Sequence, residues 1–196
     1  MTGAIIHITL LLAVFAAPDA GASAHGPGAD GGESAKLSAR AEVEAALGKA
    51  GGAAALARLA ATAQGTLMAI ASDRAASETV RSRALSALAY ARNLRVQTFL
   101  ENFIVGKTPP FDATDRVLLR HAVVALGWQG DPRLVETVAP LLDNADSDVR
   151  LDAAIALGLG RGRSAEAPLR ARLATETDGA VRRQIEASLK AVTAPR

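Results

Sequence analysis

Apolar residues recur on a helical period through most of this chain. Residues 148–158 read DVRLDAAIALG, residues 117–127 read VLLRHAVVALG, and residues 80–89 read VRSRALSALA. Val149, Leu118 and Val80 correspond, then Ala153, Ala122 and Ala84, then Leu157, Leu126 and Leu88. A fourth window, 181–190 (VRRQIEASLK), aligns Val181, Ile185 and Leu189 with them. Within each window the apolar positions run i, i+4, i+8, one stripe of an α-helix. The windows recur at offsets of 38, 31 and 32 residues, the kind of period that stacked helical units produce.

A second helical segment precedes each window: 66–72, 94–104, 132–142 and 164–174. Each unit is therefore predicted to be helix, short turn, helix. Residues 127–132 (GWQGDP) and 158–164 (GLGRGRS) read as breaks between units. Pro132 suits the first turn of a helix, and Ser147 or Asp148, with Asp178, are expected N-caps. One pair of helices cannot bury its own stripe, so the pairs must stack. Alanine at the centre of each stripe lets the helices approach closely.

The pattern resembles the HEAT-like repeat family, in particular its short bacterial, bilin-lyase-type form. The resemblance is carried by Gly130-Asp131-Pro132-Arg133, Asp148-Val149-Arg150, Ala153-Ala154, Ala156-Leu157-Gly158 and Pro168-Leu169. Residues 131–192 fit best. The unit over 94–127 departs from the pattern, with Leu119 where Arg usually follows Val and with an insertion at 105–113 (VGKTPPFDA). The resemblance implies an all-α fold, an α-solenoid of about four helix-turn-helix repeats over 63–194, preceded by capping helices at 36–62. It also implies that the second helix of each unit lines a concave face and that the chain serves as a binding scaffold.

Composition supports helices and little else. Alanine supplies roughly 45 of the 196 residues and aromatics only 3%, too few for a β-sandwich or barrel. There is no cysteine, which excludes disulfides, thiolate metal sites and thiol nucleophiles. The net charge of +2 is too small to imply nucleic acid or an anionic membrane.

The N-terminus reads as an address. Residues 4–17 (AIIHITLLLAVFAA) form an apolar run, shorter than the ~20 residues that span a bilayer. Pro18 and Asp19 end it, and Ala22-Ser23-Ala24 offers small residues at a cleavage site. We expect a signal peptide at 1–24 cut after Ala24, giving a periplasmic or secreted protein with no stable membrane span. Residues 25–35, rich in Gly and polar residues, are expected to be a disordered linker, with His25 as an ordinary linker residue.

The candidate partner-binding residues are the repeated arginines Arg81, Arg150 and Arg182, the displaced Arg120, the aromatic Phe111 in the insertion, and Trp128 at a unit's end. Each arginine also has a structural reading, an ion pair with a nearby turn acid such as Asp148 or Asp178 that bridges repeats. His121 lies at the edge of the stripe with no identifiable catalytic partner. No phosphate loop, HExxH or nucleophile elbow occurs. We therefore expect no catalytic residue, no cofactor and no metal, and a non-enzymatic scaffold for another protein. The alternatives are an accessory subunit of a bilin-lyase-like enzyme and a nucleic-acid-binding helical-repeat protein.

Overall fold

In a computed structural model, the structure describes residues 29–49, 52–107 and 111–194. The expected signal peptide, its cleavage site and His25 lie outside the described residues. Ten α-helices occur among them, with no strand: α1 (Ala29–Lys49), α2 (Ala53–Thr62), α3 (Gln64–Ser72), α4 (Glu78–Leu88), α5 (Leu94–Val105), α6 (Ala113–Gln129), α7 (Val135–Val138), α8 (Ser147–Gly160), α9 (Glu166–Thr175) and α10 (Gly179–Thr193). Residues 29–38 form a unit separate from Ala39–Arg196. Residues 29–35 are helical rather than the expected disordered linker.

The second unit is built from helix pairs: α3–α4, α5–α6, α7–α8 and α9–α10. The second members pack successively, α4 on α6, α6 on α8 and α8 on α10, and the first members lie on the other side. The stripes provide the core. Leu118, Val149, Ala84, Ala122, Ala153, Ile185, Leu88, Leu126 and Leu157 are all at most 1% exposed; Val80, at the thinner N-terminal end, is half-buried. α1 closes that end with Val43 and Leu47, and Arg83 donates to the carbonyls of Leu47 and Gly48 at its C-terminus.

Three expectations about local structure are corrected. The segment over 132–142 is not one helix but a 3-10 turn (Pro132–Leu134), the single turn α7, and a second 3-10 turn (Ala139–Asp143). Pro140 lacks the N–H that a continuous helix would need there. The N-cap of α8 is Asp146, not Ser147 or Asp148; its carboxylate accepts from the N–H groups of Asp148 and Val149. Gly127 and Gly158 are not breaks, because α6 runs on to Gln129 and α8 to Gly160.

These two glycines are joints. A Cβ on Gly127 would lie 2.6 Å from Ala156 Cα, and one on Gly158 would lie 2.7 Å from Ser188 Oγ. Each lets its helix touch the next helix of the stack, backbone to backbone. The aligned position on α10 is Lys190, which is exposed.

Candidate functional site

The repeated arginines face inward. Arg81 is 7% exposed, and its Nε donates to Ala71 O (3.1 Å) at the end of α3. Arg150 is 8% exposed, and its Nη1 donates to the carbonyls of Asn144 (2.9 Å) and Ala145 (3.0 Å). Arg182, half-buried, donates from Nη1 to Leu173 O (2.8 Å) and Glu176 O (3.0 Å). All three do the same work: they supply donors to carbonyls that the first helix of their own unit leaves unpaired at its C-terminus. Neither Asp148 nor Asp178 is their acceptor.

Arg150 also bridges to the next unit. Its Nε and Nη2 grip both carboxylate oxygens of Glu176 (2.8 and 2.9 Å). Glu176 is 3% exposed and also accepts from Arg172 Nε (2.9 Å) and from the backbone N–H groups of Thr177 and Asp178. Hydrogen bonding from Arg150 holds this carboxyl far below the usual carboxylate range; burial opposes, and the Asp178 N–H and Arg172 add to the lowering. Such a five-donor site is fully satisfied by the chain itself.

Arg120 is the exception. Leu119 fills the inward position and is fully buried, so Arg120 turns toward α8. Its Nε donates to Asp152 Oδ2 (2.7 Å) and its Nη1 to Asp148 Oδ2 (2.8 Å). Beside it, Val117, Arg120, His121, Val124 and Asp152 line a shallow depression. Ile155 and Leu159, one and two turns farther along α8, are also half-exposed.

His121 Nδ1 lies 2.9 Å from Ser86 Oγ, which in turn donates to Ser82 O at 3.0 Å. The serine hydroxyl has one proton. If it goes to the carbonyl one turn back, a common habit of helical serine, Nδ1–H must donate to Ser86 and Nε2 is left as an acceptor. Burial, and secondarily the Arg120 charge, pushes the imidazole pKa down while Glu78 opposes. The ring is therefore neutral at pH 7. In this assignment Ser86 is a support for the histidine and not a nucleophile that it activates. Burial, partly offset by Arg120, pushes the Asp152 carboxyl up.

The two aromatic candidates are both half-buried and pack against the core. Phe111 leads into α6, its carbonyl accepting from Arg116 Nη1 (3.4 Å). Lys107 ties the insertion down, paired with Asp115 and 5.1 Å above the Phe103 ring; Pro109 and Pro110 lie outside the described residues. Trp128, near the C-terminal end of α6, packs against the core. The structure thus brings Arg120 and His121 together on one surface and places Arg81 and Arg150 in the interior. Sequence reasoning missed Ser86 and Glu176. Each is joined to its partner across more than 25 residues by stacking, and neither occupies a repeated position.

Residues 111–190 match the sequence pattern of HEAT repeats. No curated protein matches the chain. With the stacked helix pairs described above, the match identifies residues 111–190 as HEAT-like helical repeats within an all-α solenoid fold.

Proposed function

We propose that this HEAT-like repeat protein is a non-catalytic scaffold that binds another protein, and that it acts outside the cytoplasm. HEAT repeats generally mediate protein–protein interaction, and repeats of this type are typically non-enzymatic. The observation that carries the reading is the open surface of α6 and α8. Val117, Val124, Ile155 and Leu159 are half-exposed there around His121 and the Arg120–Asp152 pair. Apolar area with a few fixed polar groups suits a protein partner. With Nδ1–H given to Ser86, the neutral His121 offers one acceptor at Nε2, and Arg120, already aligned by two carboxylates, needs little ordering to make a further contact. Phe111 and Trp128 flank this surface as anchors in the reading.

The export half of the proposal rests on the apolar run at 4–17 and the small residues before His25. Fractionation of the native host and sequencing of the mature N-terminus test it, with His25 as the expected first residue. For the binding half, Val124→Asp and Ile155→Asp should each reduce capture of the partner at least tenfold with an unchanged helical spectrum. Phe111→Ala should reduce it less. Full capture by all three variants would show that this face is wrongly assigned.

A further inference from the structure

The small net charge conceals a strong separation. The turns inside units together with the adjoining helix ends (73–78, 106–115, 143–148 and 175–178) carry nine acids and two bases, whereas the loops between units together with their adjoining helix ends (89–95, 130–134 and 161–165) carry five arginines and one acid. The two sets lie on opposite edges of the second unit. Gln97 reaches Asp131 (3.0 Å) and Ser164 reaches Pro132 O (3.5 Å) along one edge. Thr114 reaches Glu78 (2.8 Å) and Arg116 reaches Asp146 (3.5 Å) along the other.

Helix dipoles do not explain this sorting. Every turn on either edge ends one helix and begins another, so both edges carry both dipole ends. Capping explains part of the acidic edge, where Asp112, Asp146 and Asp178 are N-caps. It does not explain the arginines. Arg92, Arg95, Arg133, Arg161 and Arg163 are all exposed, and among the described residues no carboxylate lies within 4 Å of Arg92, Arg95 or Arg163. Arg133 is held by Asp131, yet its side chain is still 69% exposed.

A second observation points the same way. Arg161 has φ 50°, in the left-handed region, at the position after α8 that Gly130 fills after α6. A side chain there is strained. The chain accepts that strain and keeps an arginine on this edge.

We infer that the basic edge binds an acidic, extended segment of the partner protein. The inference rests on the proposed protein-binding function and names the chemistry of one partner element. Packed helices lie about 8–10 Å apart, and an extended polyproline-II chain advances about 3.1 Å per residue with three residues per turn, so every third side chain faces the same way. Arg95, Arg133 and Arg163, each in the first turn of successive units, are therefore spaced to meet every third residue of an extended peptide. Arginine's planar fork pairs with a carboxylate by two hydrogen bonds. A nucleic acid fits less well, because the opposite edge is densely acidic and Trp128 and Tyr90 pack against the core rather than offering rings for stacking.

The test uses the full chain and a fluorescein-labelled 12-residue peptide with glutamate at every third position and Gly-Ser between. Binding should be visible by anisotropy at low salt and should weaken as salt rises. The triple variant Arg95→Gln, Arg133→Gln, Arg163→Gln should weaken it at least tenfold with an unchanged melting temperature. Arg161→Gly should also weaken it. A lysine-for-glutamate peptide should not bind. Absent peptide binding overturns the inference, and so does equal binding by the triple variant, or tighter binding to single-stranded DNA or to phosphatidylglycerol vesicles than to the peptide. Loss of partner capture in the Val124→Asp protein with intact peptide binding leaves the inference standing. Peptide failure with intact partner capture sinks this inference alone.

Discussion

Glu176 gathers five hydrogen-bond donors in the interior. It is buried, takes hydrogen bonds from two arginines and two backbone N–H groups, and joins the last two helix pairs. Removing the charge from one member of a buried pair costs about 3–5 kcal/mol, because the other charge is stranded. Glu176→Gln should therefore lower the melting temperature by roughly 10 °C, at about 2–4 °C per kcal/mol for a protein of this size. The same carboxyl sets an acid limit. Its folded pKa lies below the unfolded value of about 4.3, so its contribution is complete above that pH and is lost as pH falls further. Thermal melts between pH 6 and pH 3 should show a decline that Glu176→Gln flattens. Asp152 acts in the opposite sense, since its raised pKa means that its charged form weakens the fold as pH rises through the folded value. Arg150→Ala should cost far more than the 0–1 kcal/mol of an exposed ion pair, since Arg150 is buried with its pair.

At the scale of elements, contact distances decide which substitutions the stack tolerates. Ala→Leu at Ala153, which has no exposed surface, should overpack the α8 stripe and cost about 1–3 kcal/mol in urea titrations. Gly127→Ala sets a gain of about 1 kcal/mol in helix propensity against a Cβ lodged 2.6 Å from the Ala156 backbone. Backbone yields less readily than a side-chain tip, so the net effect should be destabilising, whereas the same change at the exposed Gly48, with nothing within 4 Å, should stabilise. The stripes were legible in the sequence because burial imposes a period, and Val149, Ala153 and Leu157 show it directly. Gly127 and Gly158 misled for a physical reason: a glycine that allows close approach and one that ends a helix look identical until the neighbouring helix is in place. Pro140 was visible, but an apolar period alone could not say that the turn around it would tighten. The surface pairing of Arg120 with Asp152, and of His121 with Ser86, depends on the register between units, which no single unit encodes.

Across the whole molecule, neighbours interact and distant units do not, so damage should stay local. Removing residues 161–196 takes away Glu176 and Ser188, whose hydroxyl donates to Ala154 O (2.7 Å), and bares one side of α8. Hydrogen exchange should then show protection retained in α3 to α6 and lost in α8, and sedimentation should show association through the new end. Uniform loss of protection would mean that the second unit folds as one indivisible core.

Lys190 has a consequence for length. Where the joint is glycine, another helix can be added; where the same position carries an ammonium on a four-carbon stem, addition stops. A contact that is offered head to tail and never closes on itself is a recipe for a fibre, and the lysine acts on this stack as a terminator acts on a growing polymer. It follows that the number of units is editable without altering the stop. Repeating residues 130–160 in tandem would set the first copy's Gly158 against the second copy's Ala156, the partner that Gly127 already uses. The longer chain should fold with a helical signal raised in proportion and with the association state of its parent. Growth would be written in the middle of the chain, and its termination would still be read once, at Lys190.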